Sequence, residues 1–282
     1  MVPPCYADLG KTARDVFNKN YNFGLLKLEC KTKTENGVEF TASGTSNSDT
    51  GRVQGSLETK YKISDYGFTL KEKWNTDNTL ATELSIEDQL VKGLKLGFDG
   101  VFVPHSGKKT GTLKTAYKLK NFHLNTDIDL DLLGIVFHCA GVLHCHGWLA
   151  GYQMSFDTTK SMLTRNNFSV GYSASDFTLH TNVNDGQEFG GSVYQKISDK
   201  LDTAIQLAWT AGNNVSRFGI GFTYKIDGNT TFRGKVNNSS QLGLGCTHKM
   251  RDGVQLTLSC LIDGKNLSSG GHKLGLGLDL EA

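Results

Sequence analysis

No run of this chain approaches the roughly 18 consecutive apolar residues that a membrane-spanning helix needs. Leu132–Phe137 is among the longest uninterrupted apolar stretches, and the mean hydropathy is -0.32. A helical membrane protein is therefore excluded. Proline is scarce, 3 in 282 residues, so little interrupts a hydrogen-bonded ladder. Net charge is also small, 30 Lys+Arg against 28 Asp+Glu, with no basic block to suit nucleic acid as a partner. The first ten residues lack the basic and apolar regions of a secretory signal. The six cysteines (Cys5, Cys30, Cys139, Cys145, Cys246 and Cys260) form no C-x-x-C pair, and we read them as free thiols. No Ser/His/Asp, Walker or metal spacing recurs with supporting context, so neither catalytic residues nor a cofactor is expected.

What the chain has is alternation. In Arg52–Ile63, Val53, Gly55, Leu57, Thr59, Tyr61 and Ile63 share one face of a strand, and Arg52, Gln54, Ser56, Glu58, Lys60 and Lys62 the other. The pattern recurs almost to the last residue, with good examples at Thr112–Lys120, Phe122–Leu132, Ile205–Trp209, Phe218–Ile226, Leu242–Cys246, Val254–Ile262 and Leu274–Leu280. Segments of about ten residues suit tilted bilayer crossings, and roughly nineteen are expected. Asn36-Gly37, Asp185-Gly186, Asp227-Gly228 and Asp252-Gly253 are dipeptides that take the positive φ angles of tight hairpins. Tyr61, Tyr66, Trp74, Tyr117, Trp148, Trp209 and Tyr224 end apolar faces as an interfacial girdle would. One helix is expected, Tyr6 to about Lys19, with Leu9, Ala13, Val16 and Phe17 on its apolar side. A soluble sandwich or barrel also alternates, burying its apolar faces inside. An all-β membrane barrel turns them outward to lipid and keeps its polar face around water. The alternation alone fits both, and we read the chain as the membrane barrel. Residues 1–24 form a helical segment and hinge, and residues 25–282 the transmembrane β-barrel.

Several longer stretches resemble a known family. They include L-E-T-K-Y-K at Leu57–Lys62, E-K-W-N-T-D-N-T-L at Glu72–Leu80, G-W-L-A-G-Y-Q at Gly147–Gln153, N-D-G-Q-E-F at Asn184–Phe189, K-V-N-N-S-S at Lys235–Ser240 and G-G-H-K-L-G-L-G at Gly270–Gly277. In order and nearly end to end, these are similar to the mitochondrial porins, the voltage-dependent anion channels. The resemblance implies a 19-stranded transmembrane β-barrel, its first and last strands parallel, with the N-terminal amphipathic helix inside the pore. It implies a voltage-gated, weakly anion-selective channel of the mitochondrial outer membrane for adenine nucleotides and small ions. A poorly conducting barrel serving as scramblase or protein-interaction platform is the alternative. The ending Lys273-x-Gly275-x-x-Leu278-x-Leu280 is similar to the sorting signal of mitochondrial barrels. The resemblance further implies nucleotide contacts at Lys11 and Lys19, and at two segments, Gln241, Leu242 and Gly243, and Ser259, Cys260, Leu261, Ile262 and Asp263. Its implied partners are membrane lipids, ATP/ADP and NAD-type nucleotides as permeants or weak ligands, and hexokinase-type and apoptosis-regulating proteins. Self-association is left open.

For permeation the lumen-facing charges matter. Alternation turns Lys60, Lys62, Lys71, Lys73, Lys95, Lys114, Lys118, Lys120, Lys225, Arg233, Lys235 and Lys273 inward, against Glu58, Glu83, Asp99, Asp127, Asp129 and Asp131. A modestly positive wall is expected, with Lys60, Lys95 and Lys118 as its representative charges. Glu72 falls on the apolar face with Phe68, Leu70 and Trp74, where the resemblance implies a part in gating and kinase docking. Three stretches depart from the family. The hinge, usually Gly-Tyr-Gly-Phe-Gly, reads Asn20-Tyr21-Asn22-Phe23-Gly24 and should be stiffer. The turn after Asp131 reads Leu132-Leu133-Gly134-Ile135. Finally His138, His144 and His146 share one face of a strand with Cys139 and Cys145 on the other. They are expected as lumen-facing polar groups rather than a metal site, since a full site needs more ligands.

Overall fold

The computed structural model describes residues 2–131, 134–266 and 270–282. A one-turn 3-10 helix, Tyr6–Asp8, precedes helix α1, Lys11–Asn18. The strands follow, with a second 3-10 turn at Ser64–Tyr66 between the third and fourth: β1 Leu25–Lys33, β2 Val38–Asn47, β3 Val53–Ile63, β4 Phe68–Asn75, β5 Leu80–Glu87 and β6 Leu94–Val103. Next come β7 Lys108–Lys118, β8 Phe122–Asp131, β9 Gly134–Cys145, β10 Trp148–Asp157, β11 Met162–Ser173, β12 Phe177–Asn184 and β13 Glu188–Lys196. The last are β14 Leu201–Thr210, β15 Asn213–Lys225, β16 Thr230–Asn237, β17 Gln241–Arg251, β18 Val254–Asp263 and β19 Lys273–Glu281.

Each strand pairs antiparallel with the next, and the 19-stranded sheet closes on itself. An up-and-down sheet with an odd number of strands starts and ends in the same direction, so its closing pair must be parallel. That pair is β1 with β19, from Leu26 opposite Leu276 to Lys31 opposite Glu281. Closure leaves no unpaired edge, the condition under which strands can cross a bilayer. Among the described residues no helix is long and apolar enough to do so.

Large apolar side chains lie on the outside: Leu26, Leu57, Trp74, Phe98, Trp148, Phe168, Trp209 and Leu276 are all exposed. The true core is small and belongs to the N-terminal segment. Ala13, Val16 and Phe17 pack on Ala204 and Tyr194, and Leu9 packs with Tyr6 on Val142 and Leu149. Glycines on the wall make room: a side chain at Gly151 would meet Leu9 and Tyr6, and one at Gly221 would meet Val16 and Phe17.

Two local expectations need correction. The helix expected from Tyr6 to Lys19 is broken, because Gly10 adopts a left-handed φ of 67° and Leu9 is extended. Periodicity does not register that break, which lets Leu9 face β10 while α1 faces β13–β15. Among the four hairpin dipeptides, only Asp185-Gly186 has both φ values positive (50° and 67°), the type I′ geometry. At Asn36-Gly37 and Asp252-Gly253 only the glycine is left-handed, and at Asp227-Gly228 neither residue is. Four-residue loops relieve the requirement at Asn36-Gly37 and Asp227-Gly228, and at the two-residue loop Asp252-Gly253 a register shift between Lys249 and Arg251 does so. The turn at 132–135 lies partly outside the described residues.

Candidate functional site: the lumen and its N-terminal segment

Packing and register together identify the inner face. Leu9 touches Val142, which stands opposite His123, and His123 opposite Lys118. Ala116, on the same face as Lys118, stands opposite Lys95. From Lys60 the register runs across the inner face through Lys71, Glu83, Asp99, Thr112 and Asp129 to Val136. Lys60, Lys95 and Lys118 therefore all face the lumen. Lys60 and Lys71, directly opposed like charges, are compensated by Glu39 at 3.0 Å and Glu58 at 3.3 Å. Lys114 reaches Asp99 at 2.5 Å. Among the described residues Lys95 and Lys118 make no ion pair, leaving their charge to solvent and permeant.

The wall differs from expectation in two respects. Lys120 sits beyond the end of β7, in the turn before Phe122, rather than on a wall strand. Glu29, held by Lys27 at 2.7 Å and Lys31 at 2.8 Å, also faces inward, as do Glu39, Asp279 and Glu281. Lys27, Lys31 and Lys33 share the inner face with these acids and pair with Glu29 and Glu39, so this part of the wall carries charge of both signs.

Among the described residues the N-terminal segment is the one lumen element outside the wall. Lys11 is exposed and 3.2 Å from Asp8, and the exposed Lys19 caps α1. The Cys5 thiol donates to Asp8 at 3.0 Å, which holds that carboxyl below its usual range. Burial first, and then Asp8, pushes the Cys5 thiol up. Pro3 anchors the start of the chain, its carbonyl 3.2 Å from Nδ1 of His123, a ring only 4% exposed. His123 was missed in sequence, because a single histidine in an alternating strand carries no distinguishing signal.

The two segments at which the resemblance implies nucleotide contacts are neighbours: Gln241 stands opposite Asp263, Leu242 opposite Ile262 and Gly243 opposite Leu261. Gln241, Gly243, Ser259, Leu261 and Asp263 face inward, whereas Leu242, Cys260 and Ile262 face outward. Ser259 is already engaged, accepting the Asn22 amide at 3.0 Å. Burial pushes the Tyr21 phenol up to about 12, against the pull of Arg233.

On β9 only His138 and His144 face the lumen. His146 lies in the turn beyond the strand at a left-handed φ of 48°, with Nδ1 3.1 Å from the Cys145 sulfur. The positive φ demanded by the tight β9–β10 turn takes it off the alternation. Among the described residues no group of three potential metal ligands converges. His138 instead links three strands: its Nδ1 is 2.7 Å from Ser155 Oγ and its Nε2 is 3.0 Å from Asp129, which also accepts Thr112 Oγ1 at 2.8 Å. The sequence offered no such trio, since its members meet only through β8–β9 and β9–β10 pairing. Ser155 is 2% exposed, so its hydroxyl is shielded from any solute, and the network orders the wall.

Glu72 stands on the outer face, exposed, between Thr59 and Thr82 and on the same side as Leu57, Tyr61, Leu70 and Trp74. Neither register contains a bulge, so nothing turns Glu72 toward water. The strand cysteines Cys30, Cys139, Cys145, Cys246 and Cys260 share that outer face, and all six thiols are free.

Comparison with known proteins matches this arrangement to one family. The family described as eukaryotic porin matches residues 2–275. The chain is 63% identical over 281 residues to the non-selective voltage-gated ion channel VDAC2 of Meleagris gallopavo, covering 100% of this chain and 95% of that protein. It is 62% identical to VDAC2 of Xenopus laevis, with 100% of each covered. It is 59% identical to the non-selective voltage-gated ion channel VDAC1 of Homo sapiens, over 100% of this chain and 99% of that protein.

Proposed function

This chain belongs to the eukaryotic porin family, and on that premise we propose that it is a voltage-gated, weakly anion-selective channel of the mitochondrial outer membrane. Small ions and metabolites, adenine nucleotides among them, pass through it down their gradients. The observation that carries this reading is a charged segment inside a closed, water-lined barrel yet outside its sheet. That segment bears Lys11, Arg14 and Lys19 against Asp8 and Asp15, a net positive load. One elementary charge moved through 100 mV changes the energy by about 2.3 kcal/mol, enough to bias a mobile segment. Lys95 and Lys118 supply unpaired positive charge on the wall, and Lys11 and Lys19 stand exposed where a nucleotide phosphate would pass.

Planar-bilayer recording of the refolded chain tests this. Stepwise falls of conductance at both polarities, with a reversal potential on the anion side in a salt gradient, are expected. The second reading, a poorly conducting lipid-handling or docking barrel, draws on Thr59, Glu72 and Thr82, a polar row across the outer face. A silent bilayer with an intact β-sheet spectrum would favour it.

A further inference from the structure

Between Phe17 and Gly24 the chain leaves α1 and crosses the inner face of the last strands one after another. On β16, Lys235 Nζ donates to the Phe17 carbonyl at 2.6 Å and Arg233 donates to the Lys19 carbonyl at 2.9 Å. On β17, Thr247 Oγ1 receives Asn20 Nδ2 at 3.4 Å, and on β18, Ser259 Oγ receives the Asn22 amide at 3.0 Å. On β19 the Leu274 carbonyl receives the Gly24 amide at 3.0 Å. From Lys19 onward each step along the linker thus moves one strand around the wall.

Between those side chains the floor under this path is glycine. A side chain at Gly243 would meet the Phe23 ring, one at Gly245 would meet Tyr21, and ones at Gly275 and Gly277 would collide with Asn22. Asn20 takes a left-handed φ of 63°, which asparagine tolerates, so the chain turns there without glycine. The Lys235 ammonium lies 4.3 Å from the Tyr21 ring centre and 5.0 Å from that of Phe23, two rings 5.2 Å apart. Both carbonyls that the cations hold belong to the C-terminal end of α1, the negative end of its dipole, where cations are favoured.

We propose that Arg233 and Lys235, with the glycine-floored seat on β17–β19, form a clamp that holds the junction of pore helix and wall and so sets the voltage at which the pore closes. Both are positioning residues: they act through the helix end they hold. The substituted hinge is then a seated strap, and the segment ahead of it moves only once the two donors let go. This rests on the voltage-gated reading given above.

The test compares the full-length refolded chain with R233Q/K235Q and with K95Q/K118Q, which removes the same charge from the wall across the lumen. Hydrogen exchange of residues 11–24 should quicken about tenfold in R233Q/K235Q, the loss expected for two hydrogen bonds each of modest net worth, and stay unchanged in K95Q/K118Q. In bilayers R233Q/K235Q should close at lower voltage than K95Q/K118Q, and K235R, which keeps both donor and cation, should close like the parent. Unchanged exchange in R233Q/K235Q overturns the clamp. So does a lowered closing voltage that K95Q/K118Q reproduces, since charge alone would then account for it. A parent chain that conducts without closing, while R233Q/K235Q still exchanges faster, would uphold the clamp and sink the gating reading instead.

Discussion

Among the described residues Glu72 makes no ion pair, and it shares its face with Leu70 and Trp74. Its cross-strand neighbours are Thr59 and Thr82, whereas Glu58 and Glu83 face the lumen, Glu58 within 3.3 Å of Lys71. A carboxylate on the lipid face has a depth-dependent cost. Glu72→Gln should therefore leave the barrel folded and as stable in urea as the parent, or more stable by up to about 1 kcal/mol. A membrane-soluble carbodiimide should label Glu72 well ahead of Glu58 and Glu83, and equal labelling of all three would place Glu72 on the wrong face. Cys5 gives a second expectation at this scale. Burial and the Asp8 contact push its thiol up, so at pH 8 less of it is thiolate and alkylation is slow. Asp8→Asn removes the anion beside the thiol and should speed iodoacetamide labelling of Cys5 several-fold, read by mass spectrometry. The same rate in both proteins would show that burial alone controls the thiol.

Among the elements, the pore segment consists of two anchored pieces joined at Gly10. Leu9 and Tyr6 sit on Val142 and Leu149, while Ala13, Val16 and Phe17 sit on Ala204 and Tyr194. The left-handed Gly10, with the His180 ring packed where a side chain would stand, separates them. Removing most of a buried apolar side chain costs about 2–5 kcal/mol in a packed core. Leu9→Ala should therefore accelerate hydrogen exchange of residues 5–9 and spare α1, and Phe17→Ala should do the reverse. Acceleration of both pieces by either substitution would mean that the segment is one cooperative unit. Of β9, half was legible in advance. Alternation places His138 and His144 inward because successive side chains of a strand must point oppositely, but His146 falls beyond the last residue of the strand. Its ladder ends where a tight turn takes over, and no local pattern marks that residue.

At the scale of the molecule, selectivity is the sum of the wall. Rings of cations raise the local anion concentration, and Lys60, Lys95 and Lys118 are spread over β3, β6 and β7. Replacing all three with Glu should move the reversal potential in a salt gradient toward cations, and an unmoved potential would mean that these side chains do not govern the pore. Sequence alone determined the barrel class, the strand alternation, the lumen side of those lysines and the outward face of Glu72. The alternation and the faces on which those lysines and Glu72 fall follow from the two-residue repeat of a single strand, a property of neighbours in the chain. The barrel class follows from that repeat together with the family resemblance. The curved contacts inside the barrel did not follow from it. Lys235 and Phe17 are 218 residues apart, and Ser155 and His138 are 17 apart, so no spacing rule links them. Only closure of the sheet brings β16 beneath the helix end, and only the registers of β8 with β9 and of β9 with β10 join Asp129, His138 and Ser155. The break at Gly10 was decided in the same way, because a left-handed residue there gains its advantage only from a wall that receives Leu9 and α1 on different strands.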